Sequence, residues 1–330
     1  MATSREVHLV ARPEGLPTEA DFALVEAEVG DPGEGEVLVE NLFMSVDPAM
    51  RPRLTAGYEL GQAMAGSSAI GRVVASRTPE LEAGDLVSNR SGFKEAFVSG
   101  PRGLRKLEAV DGVPLTVHLH ALGGTGFTAY GGILKIAAVT PEDRVFVSTA
   151  GGAVGSVAAQ IAKLKGGWVV GSTGTEEKAR WLRDDVGLDA VVNYKETPIR
   201  KGLGAAAPDG ITVYFDNVGG DHLDAALACL REQGRVAVCG MISGYNEPGA
   251  RTTVRNLANI IYGRMTIRGF TVADFVDLHP QFVSDMTGWL RDGKVRYQET
   301  VLEGIEQAPR ALIGLFEGLN AGKMLVKLAD

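Results

Sequence analysis

Residues Ser148 to Lys178 read STAGGAVGSVAAQIAKLKGGWVVGSTGTEEK, and the order of residue types in this stretch decides the fold. Arg144 to Thr149 (RVFVST) is a short β-branched run that enters Ala150-Gly151-Gly152-Ala153-Val154-Gly155. After that turn, Val154, Val157, Ala158, Ile161 and Leu164 recur at helical spacing, and Trp168 to Ser172 is a second strand. Strand, glycine turn, helix and strand in this order form a βαβ unit. In a dinucleotide site the middle glycine of such a turn lets backbone approach the pyrophosphate and the last lets the helix pack on the strand, with the helix N-terminus facing the phosphates. Gly152 and Gly155 fill those places, while Ala150 stands at the first position of the G-x-G-x-x-G pattern. The competing reading is a glycine-rich turn with no ligand; the complete order of elements favours the binding site.

The end of the second strand carries information on which dinucleotide. An NAD site places Asp or Glu there, about 20 residues past the turn, to accept from the adenosine ribose 2′-OH. Here the residues are Gly171, Ser172, Thr173 and Gly174, so no carboxylate repels a 2′-phosphate. Lys178 follows within one turn as a point charge for phosphate, which favours NADPH over NADH. The residues alone leave a second reading open, in which Lys178 only solvates a helix start beside Glu176 and Glu177.

At 330 residues the chain is long enough for two domains, and 45% hydrophobic with 22% charged residues is ordinary for a globular protein. A net charge of -8 without a basic stripe argues against a nucleic-acid surface. The first ten residues, MATSREVHLV, lack an apolar signal region and no apolar run approaches a membrane span, so a cytoplasmic protein is expected. Cys229 and Cys239 make neither a disulfide framework nor a four-cysteine zinc site, and His8, His118, His120, His222 and His279 are scattered. No metal is expected.

Residues 1 to about 118 have a different texture, with short alternating runs between glycine and proline turns. Val37 to Asn41, Ala69 to Val74 and Asp85 to Ser88 read as strands of a small β domain. Phe43 to Arg51 (FMSVDPAMR) reads as a loop that could line a pocket, although on local chemistry Asp47 simply caps a turn before Pro48. Gly126 to Ala138 suggests a helix leading into the central part. Beyond the opening stretch, Ala190 to Asn193, Ile211 to Phe215, Arg235 to Cys239 and Met265 to Gly269 read as further strands, with a helix over Asp221 to Arg231. This alternation means an α/β fold with a doubly wound parallel sheet, whose ligands lie beyond the carboxyl ends of the strands. Asn217 and the Gly240 to Tyr245 loop fall on that side. Pro280 opens a helix with Phe282, Met286 and Leu290 inward. Arg296 to Leu302, a helix over Ala308 to Glu317 and a strand over Lys323 to Leu328 return to the N-terminal domain.

A β domain, a nucleotide-binding core and a return resemble the medium-chain dehydrogenase/reductase superfamily. Within it the chain resembles, over nearly its whole length, the zinc-independent leukotriene 12-hydroxydehydrogenase and prostaglandin reductase family of alkenal double-bond reductases. The matching stretches are SVDPAMR (Ser45 to Arg51), GAVGSVAAQIAKLKG (Gly152 to Gly166), EEK ending at Lys178, NYK (Asn193 to Lys195), YFDNVGG (Tyr214 to Gly220), CGMISGYN (Cys239 to Asn246), IIYGRMTIRGF (Ile260 to Phe270) and GLNAGKMLV (Gly318 to Val326). The resemblance implies a Rossmann NADP(H)-binding domain over 119–295 and a smaller GroES-like substrate domain made of 1–118 and 296–330. It implies that Gly152, Ala153, Val154 and Gly155 hold the pyrophosphate and that Lys178 and Tyr194 meet the adenosine phosphate. Asn217, Cys239, Gly240, Met241, Ile242, Ser243, Gly244, Tyr245, Phe270, Thr271, Val272 and Asn320 surround the rest of NADPH. Ala49 stands where the family commonly has tyrosine, and Gly92-Phe93 where it has a glycine–tryptophan pair, so the pocket differs in shape.

The activity so implied is NADPH-dependent reduction of the carbon–carbon double bond of α,β-unsaturated ketones and aldehydes, with hydride to the β-carbon. Hydrogen bonds then stabilise the developing enolate without zinc. Tyr262 is the first candidate donor, Tyr245 the second and Tyr58 a third; either of the first two could instead be a pocket wall. An NADPH:quinone reductase and a non-catalytic NADPH-binding protein are the rivals. A homodimer is expected from the family.

Overall fold

The computed structural model describes residues 2–247, 249 and 253–330. The chain divides into two compact units, Met1–Leu119 with Glu299–Asp330, and His120–Gln298.

The first unit opens on an antiparallel hairpin of β1 (Ala2–Leu9) and β2 (Phe22–Val29). The sequence pattern does not announce β1, because Ser4 and Glu6 are buried along with Val7 and Leu9 and erase the two-residue period. Then come β3 (Val37–Val46), α1 (Met50–Ala56), β4 (Ala69–Ser76), β5 (Leu86–Asn89), β6 (Ala96–Ser99) and β7 (Arg105–Lys106). Phe43 to Val46, expected in a loop, belong to β3: Met44 and Val46 are core residues, so the strand runs on until the Asp47–Pro48 turn.

In the second unit, β8 (Arg144–Val147), β9 (Trp168–Thr173), β10 (Ala190–Asn193), β11 (Ile211–Asp216), β12 (Leu230–Val238) and β13 (Thr266–Gly269) form one parallel sheet in the order β10-β9-β8-β11-β12-β13. This is the 3-2-1-4-5-6 order of the Rossmann fold, and the order reverses between β8 and β11. The helices are α2 (Gly124–Gly131), α3 (Ala153–Leu164), α4 (Glu176–Asp184), α5 (Ile199–Ala206), α6 (Gly220–Cys229), the short α7 (Asn259–Tyr262) and α8 (His279–Arg291). Two boundaries differ from expectation. The helix leading in from Gly124 loosens after α2 into a π turn over Gly132–Ile136, and Ala138 (φ 48°) ends it in the left-handed region. The helix expected to Arg231 stops at Cys229, because β12 starts at Leu230 and absorbs a bulge around Gln233 (φ 60°).

The chain then returns to the first unit as β14 (Glu299–Glu303), α9 (Ala308–Glu317) and β15 (Lys323–Lys327). α9 ends on Gly318 in the left-handed conformation that only glycine adopts cheaply. β15 pairs with β3, giving a seven-stranded sheet β14-β15-β3-β4-β5-β7 with β6 also on β3. Met324 and Val326 of β15 share a core with Met44, Val46 and Leu312. No helix among the described residues is long and apolar enough to cross a membrane.

Candidate cofactor and active site

The turn after β8 is built by close contact. Thr149 takes a left-handed conformation (φ 52°), and its carbonyl accepts from Gly152 N at 2.9 Å. A Cβ on Gly155 would stand 2.2 Å from that same Thr149 oxygen, so only glycine lets α3 begin here. No side chain caps α3 at Gly152, which leaves the first-turn N–H groups of Ala153, Val154 and Gly155 for an anion.

At the end of β9, Ser172 and Thr173 are buried where an NAD site carries an acid. Thr175 caps α4 by accepting from Lys178 N at 3.3 Å, and the Lys178 stem then lies along the glycine turn. Burial lowers the Lys178 ammonium from the ordinary lysine range, with Glu177 opposing. Tyr194 closes the same corner: a Cβ on Gly174 would stand 2.9 Å from its hydroxyl. Its ring meets His222 edge-on at 5.0 Å, and burial pushes the phenol up. Gly151, Gly174, Lys178 and Tyr194 are thus gathered next to the α3 N-terminus.

On the other side of β8, at the end of β11, Asn217 is tied to Ser148. Its N–H donates to Ser148 Oγ at 2.9 Å and its Nδ2 to Ser148 O at 2.7 Å. Asp216, fully buried, accepts at Oδ1 from Tyr214 OH (2.6 Å), Val218 N (2.8 Å) and Gly219 N (2.8 Å). Burial raises the Asp216 carboxyl despite these bonds. Its carbonyl accepts from Cys239 N (2.8 Å) and Gly240 N (3.0 Å). In the sequence, the signal for Asp216 is an acid that closes an apolar strand just before Asn-Val-Gly-Gly.

The loop from Cys239 to Tyr245 folds back on this turn. Ser243 Oγ donates to Val218 O at 2.6 Å, Met241 lies over Gly219, and Tyr245 OH accepts from Met241 N at 3.4 Å. Burial, and next the Asp216 charge, push the Cys239 thiol up to about 12. Phe270, directly after β13, packs at 6.0 Å from Phe215 and 5.8 Å from Phe275; Thr271 and Val272 follow, with Thr271 N held by Asp274 at 2.6 Å.

Tyr262 is not brought to this end. The segment before it runs along α6, from Asn256 on Asp224 to Asn259 on Leu227, and Gly263 O accepts from Gln233 N. That path leads to the amino end of the sheet, and Tyr262 is 80% exposed there. Asn320 belongs to the first unit, where its Nδ2 donates to Gly322 O at 2.7 Å. Also in that unit, Tyr58 is buried under Arg53. Asp47 is more than a turn cap: it holds the buried Lys323 ammonium at 2.5 Å and accepts from Ser45 Oγ. Ala49 is exposed. Among the described residues no group of three or more His, Cys, Asp or Glu is placed to hold a metal ion. His118 bonds Glu108 O and His120 bonds Ala153 O.

The model of the family described as "N-terminal domain of oxidoreductase" matches residues 5–107, and that of "Zinc-binding dehydrogenase" matches 153–287. Prostaglandin reductase 1 of Rattus norvegicus is 39% identical over 95% of this chain and 96% of its own length. The NADP(+)-dependent 2-alkenal reductase of Nicotiana tabacum is 37% identical over 99% and 98%. The crystal structure of CurA from Vibrio vulnificus in complex with NADPH superposes with a TM-score of 0.92 at 34% identity, covering 99% of both chains. Fold and site together thus define a medium-chain dehydrogenase/reductase. Within that superfamily the chain belongs to the zinc-independent family of prostaglandin and alkenal reductases.

Proposed function

We propose that this protein is an NADPH-dependent reductase of the carbon–carbon double bond in α,β-unsaturated ketones and aldehydes. The observation that carries the cofactor half is the corner after β9, where buried Ser172 and Thr173 replace the acid and Lys178 lies on the glycine turn. On this reading Gly152 to Gly155 take the pyrophosphate, and Lys178 with Tyr194 the 2′-phosphate. Asn217, the Cys239–Tyr245 loop and Phe270–Val272 surround the remainder. The names of the relatives support the substrate class.

Bound NADPH supplies the hydride to the substrate β-carbon. The protein's part is to hold the carbonyl oxygen on a hydrogen-bond donor as charge moves onto it; one such preorganised donor lowers a barrier by ~3 kcal/mol. Tyr245, at the carboxyl end of the parallel sheet, is the donor we favour over Tyr262, which lies at the amino end of the same sheet. An α,β-unsaturated ketone assayed with NADPH and NADH tests the reading. Tyr245→Phe is expected to cut the maximal rate about a hundredfold, in line with loss of one oxyanion donor. Tyr262→Phe should leave it unchanged, and the reverse result restores Tyr262. A quinone panel run in parallel separates the quinone reductase, and NADPH protection against heat without any turnover would mark the non-catalytic alternative.

The same reading takes the protein as a homodimer. β13 is an edge strand whose four residues are all exposed, and Leu257, Ile261 (75% exposed), Tyr262 and Ile267 lie on or just before it. An open apolar edge favours pairing with a second copy. Sedimentation of the wild type and of Ile261→Asp checks this, with a monomeric wild type as the contrary result. The free Cys229 and Cys239 suit a reducing, cytoplasmic compartment.

A further inference from the structure

We infer that Arg53 and Arg90, in the first unit, form a carboxylate-binding site built around Gly66 and backed by the Tyr58 ring. The site shares no residue with those assigned above to the dinucleotide. A carboxylate carried on the substrate rests on the enone reading; a free carboxylate does not depend on it.

An arginine without a counter-charge is ordinary where it swings in water, but these two are pinned. Arg53 lies on α1, and its carbonyl accepts from Gly57 N at 2.7 Å and from Tyr58 N at 3.0 Å. Its guanidinium stands over the Tyr58 ring, 4.4 Å from the centroid. Gly66 closes on the same guanidinium in a left-handed conformation (φ 86°), where a Cβ would stand 2.7 Å from Arg53 Nη1 and 3.1 Å from Nη2. Gly66 also exchanges two bonds with Arg90: its N–H donates to Arg90 O at 2.9 Å, and its carbonyl accepts from Arg90 Nη2 at 2.9 Å. Arg12 holds the Tyr58 backbone, donating to Leu54 O at 3.0 Å and to Tyr58 O at 3.1 Å. Two guanidinium groups are thus fixed about one glycine.

Among the described residues no carboxylate bonds either of them. Between them lies a second unanswered group: the Tyr58 hydroxyl is buried without a hydrogen-bond partner, in a residue only 4% exposed. Burial raises this phenol, the Arg53 charge opposes that, Asp47 adds to it and Arg90 opposes it, so both guanidinium charges bear on the one hydroxyl. Asp47 does not answer them, being held by Lys323 at 2.5 Å and by Ser45. Arg53 is half-buried and Arg90 exposed, so a ligand reaches their N–H edges from solvent. Guanidinium forks match the planar, two-oxygen edge of a carboxylate. The Asp47 charge close by favours a singly charged carboxylate over a doubly charged phosphate.

The experiment has two arms, both on the full chain. In the first, straight-chain enones of increasing length that end in a carboxylate are compared with their methyl esters, with NADPH as reductant. In the second, hexanoate and hexanamide are titrated by calorimetry. If the carboxylate arrives on the substrate, one chain length should give the acid a kcat/KM about tenfold above its ester, the scale of one charge-assisted hydrogen bond at a solvent-accessible site. If it arrives as a free anion, hexanoate should bind about tenfold more tightly than hexanamide. Because the net charge of -8 repels anions in general, a preference for the acid requires a local site. Added salt should weaken that preference, and Arg53→Gln and Arg90→Gln should each abolish it. Gly66→Ala, which keeps both arginines but drives a methyl onto the Arg53 guanidinium, should reduce it too. Arg90→Gln alters an exposed side chain and should keep the wild-type melting temperature, which separates loss of the site from loss of fold. The inference is overturned if wild type shows no preference in either arm, or if the preference survives Arg53→Gln and Arg90→Gln. If NADPH reduces neither acids nor esters, the enone reading fails, and the hexanoate titration still decides the site.

Discussion

Lys178 lies against Gly151: a Cβ on Gly151 would stand 3.1 Å from Lys178 Cβ and 3.2 Å from its Cδ. The glycine turn and the lysine ten residues past the start of β9 are therefore one surface, with the methylene stem held down against the turn. Lys178→Ala should lower the preference for NADPH over NADH by roughly 10- to 100-fold, the range of a charge-assisted hydrogen bond at ~1.5–3 kcal/mol. Ratios of kcat/KM with the two cofactors measure it, and an unchanged ratio rules the assignment out. The depressed ammonium adds a pH signature: it is charged below its lowered pKa, so the NADPH preference should decline on the alkaline side earlier than an ordinary lysine would allow.

Two glycines offer a matched pair. Gly155→Ala drives a methyl to 2.2 Å from Thr149 O, which forces the turn and α3 apart. Overpacking of this kind costs ~1–3 kcal/mol, so both the melting temperature and NADPH affinity should fall. Gly204 lies within α5 and a Cβ there meets nothing within 4 Å. Gly204→Ala should stabilise by about 0.5–1 kcal/mol through the unfolded chain, with cofactor affinity unchanged.

Much of the fold was legible because the parallel strands are continuous apolar runs with glycine turns between them, as in Val145 to Val147 and Ile211 to Phe215. The cofactor turn was legible for the same reason. What escaped were features whose cause is tertiary. β1 carries buried Ser4 and Glu6 in place of an alternating pattern, and Asp216 is a charged residue type serving inside the core. Nor does a sequence say at which end of a sheet a short helix stops, so the position of Tyr262 at the amino end was not legible in it. That is decided by the run of Asn256 and Asn259 along α6.

Cys239 sits in the loop proposed to face the cofactor, in a protein proposed to bind electrophilic enones, yet its thiol is pushed up to about 12. The thiolate is the nucleophile, so at neutral pH its population is roughly a thousandfold below that of an unperturbed cysteine. Burial similarly raises Cys229. Incubation with excess acrolein followed by mass spectrometry should find neither cysteine modified in the native protein and both modified after unfolding in urea. Rapid native labelling at Cys239 would contradict this protection.

His222 ties stability to pH. It is 6% exposed, stacks 6.4 Å from Phe146 and meets Tyr194 edge-on, and burial lowers its pKa from 6.5 to about 4, with Asp221 opposing. Between those values the unfolded chain binds a proton that the folded chain does not, so stability falls as pH drops through 6.5 and the loss is complete near 4. At 1.36 kcal/mol per pKa unit the loss is about 3 kcal/mol. The raised carboxyl of Asp216 acts in the opposite sense, being more protonated in the folded than in the unfolded chain, so the comparison must be made between variants. Urea midpoints at pH 7 and pH 5 should drop less for His222→Phe than for wild type, and equal drops would exclude His222 as the source.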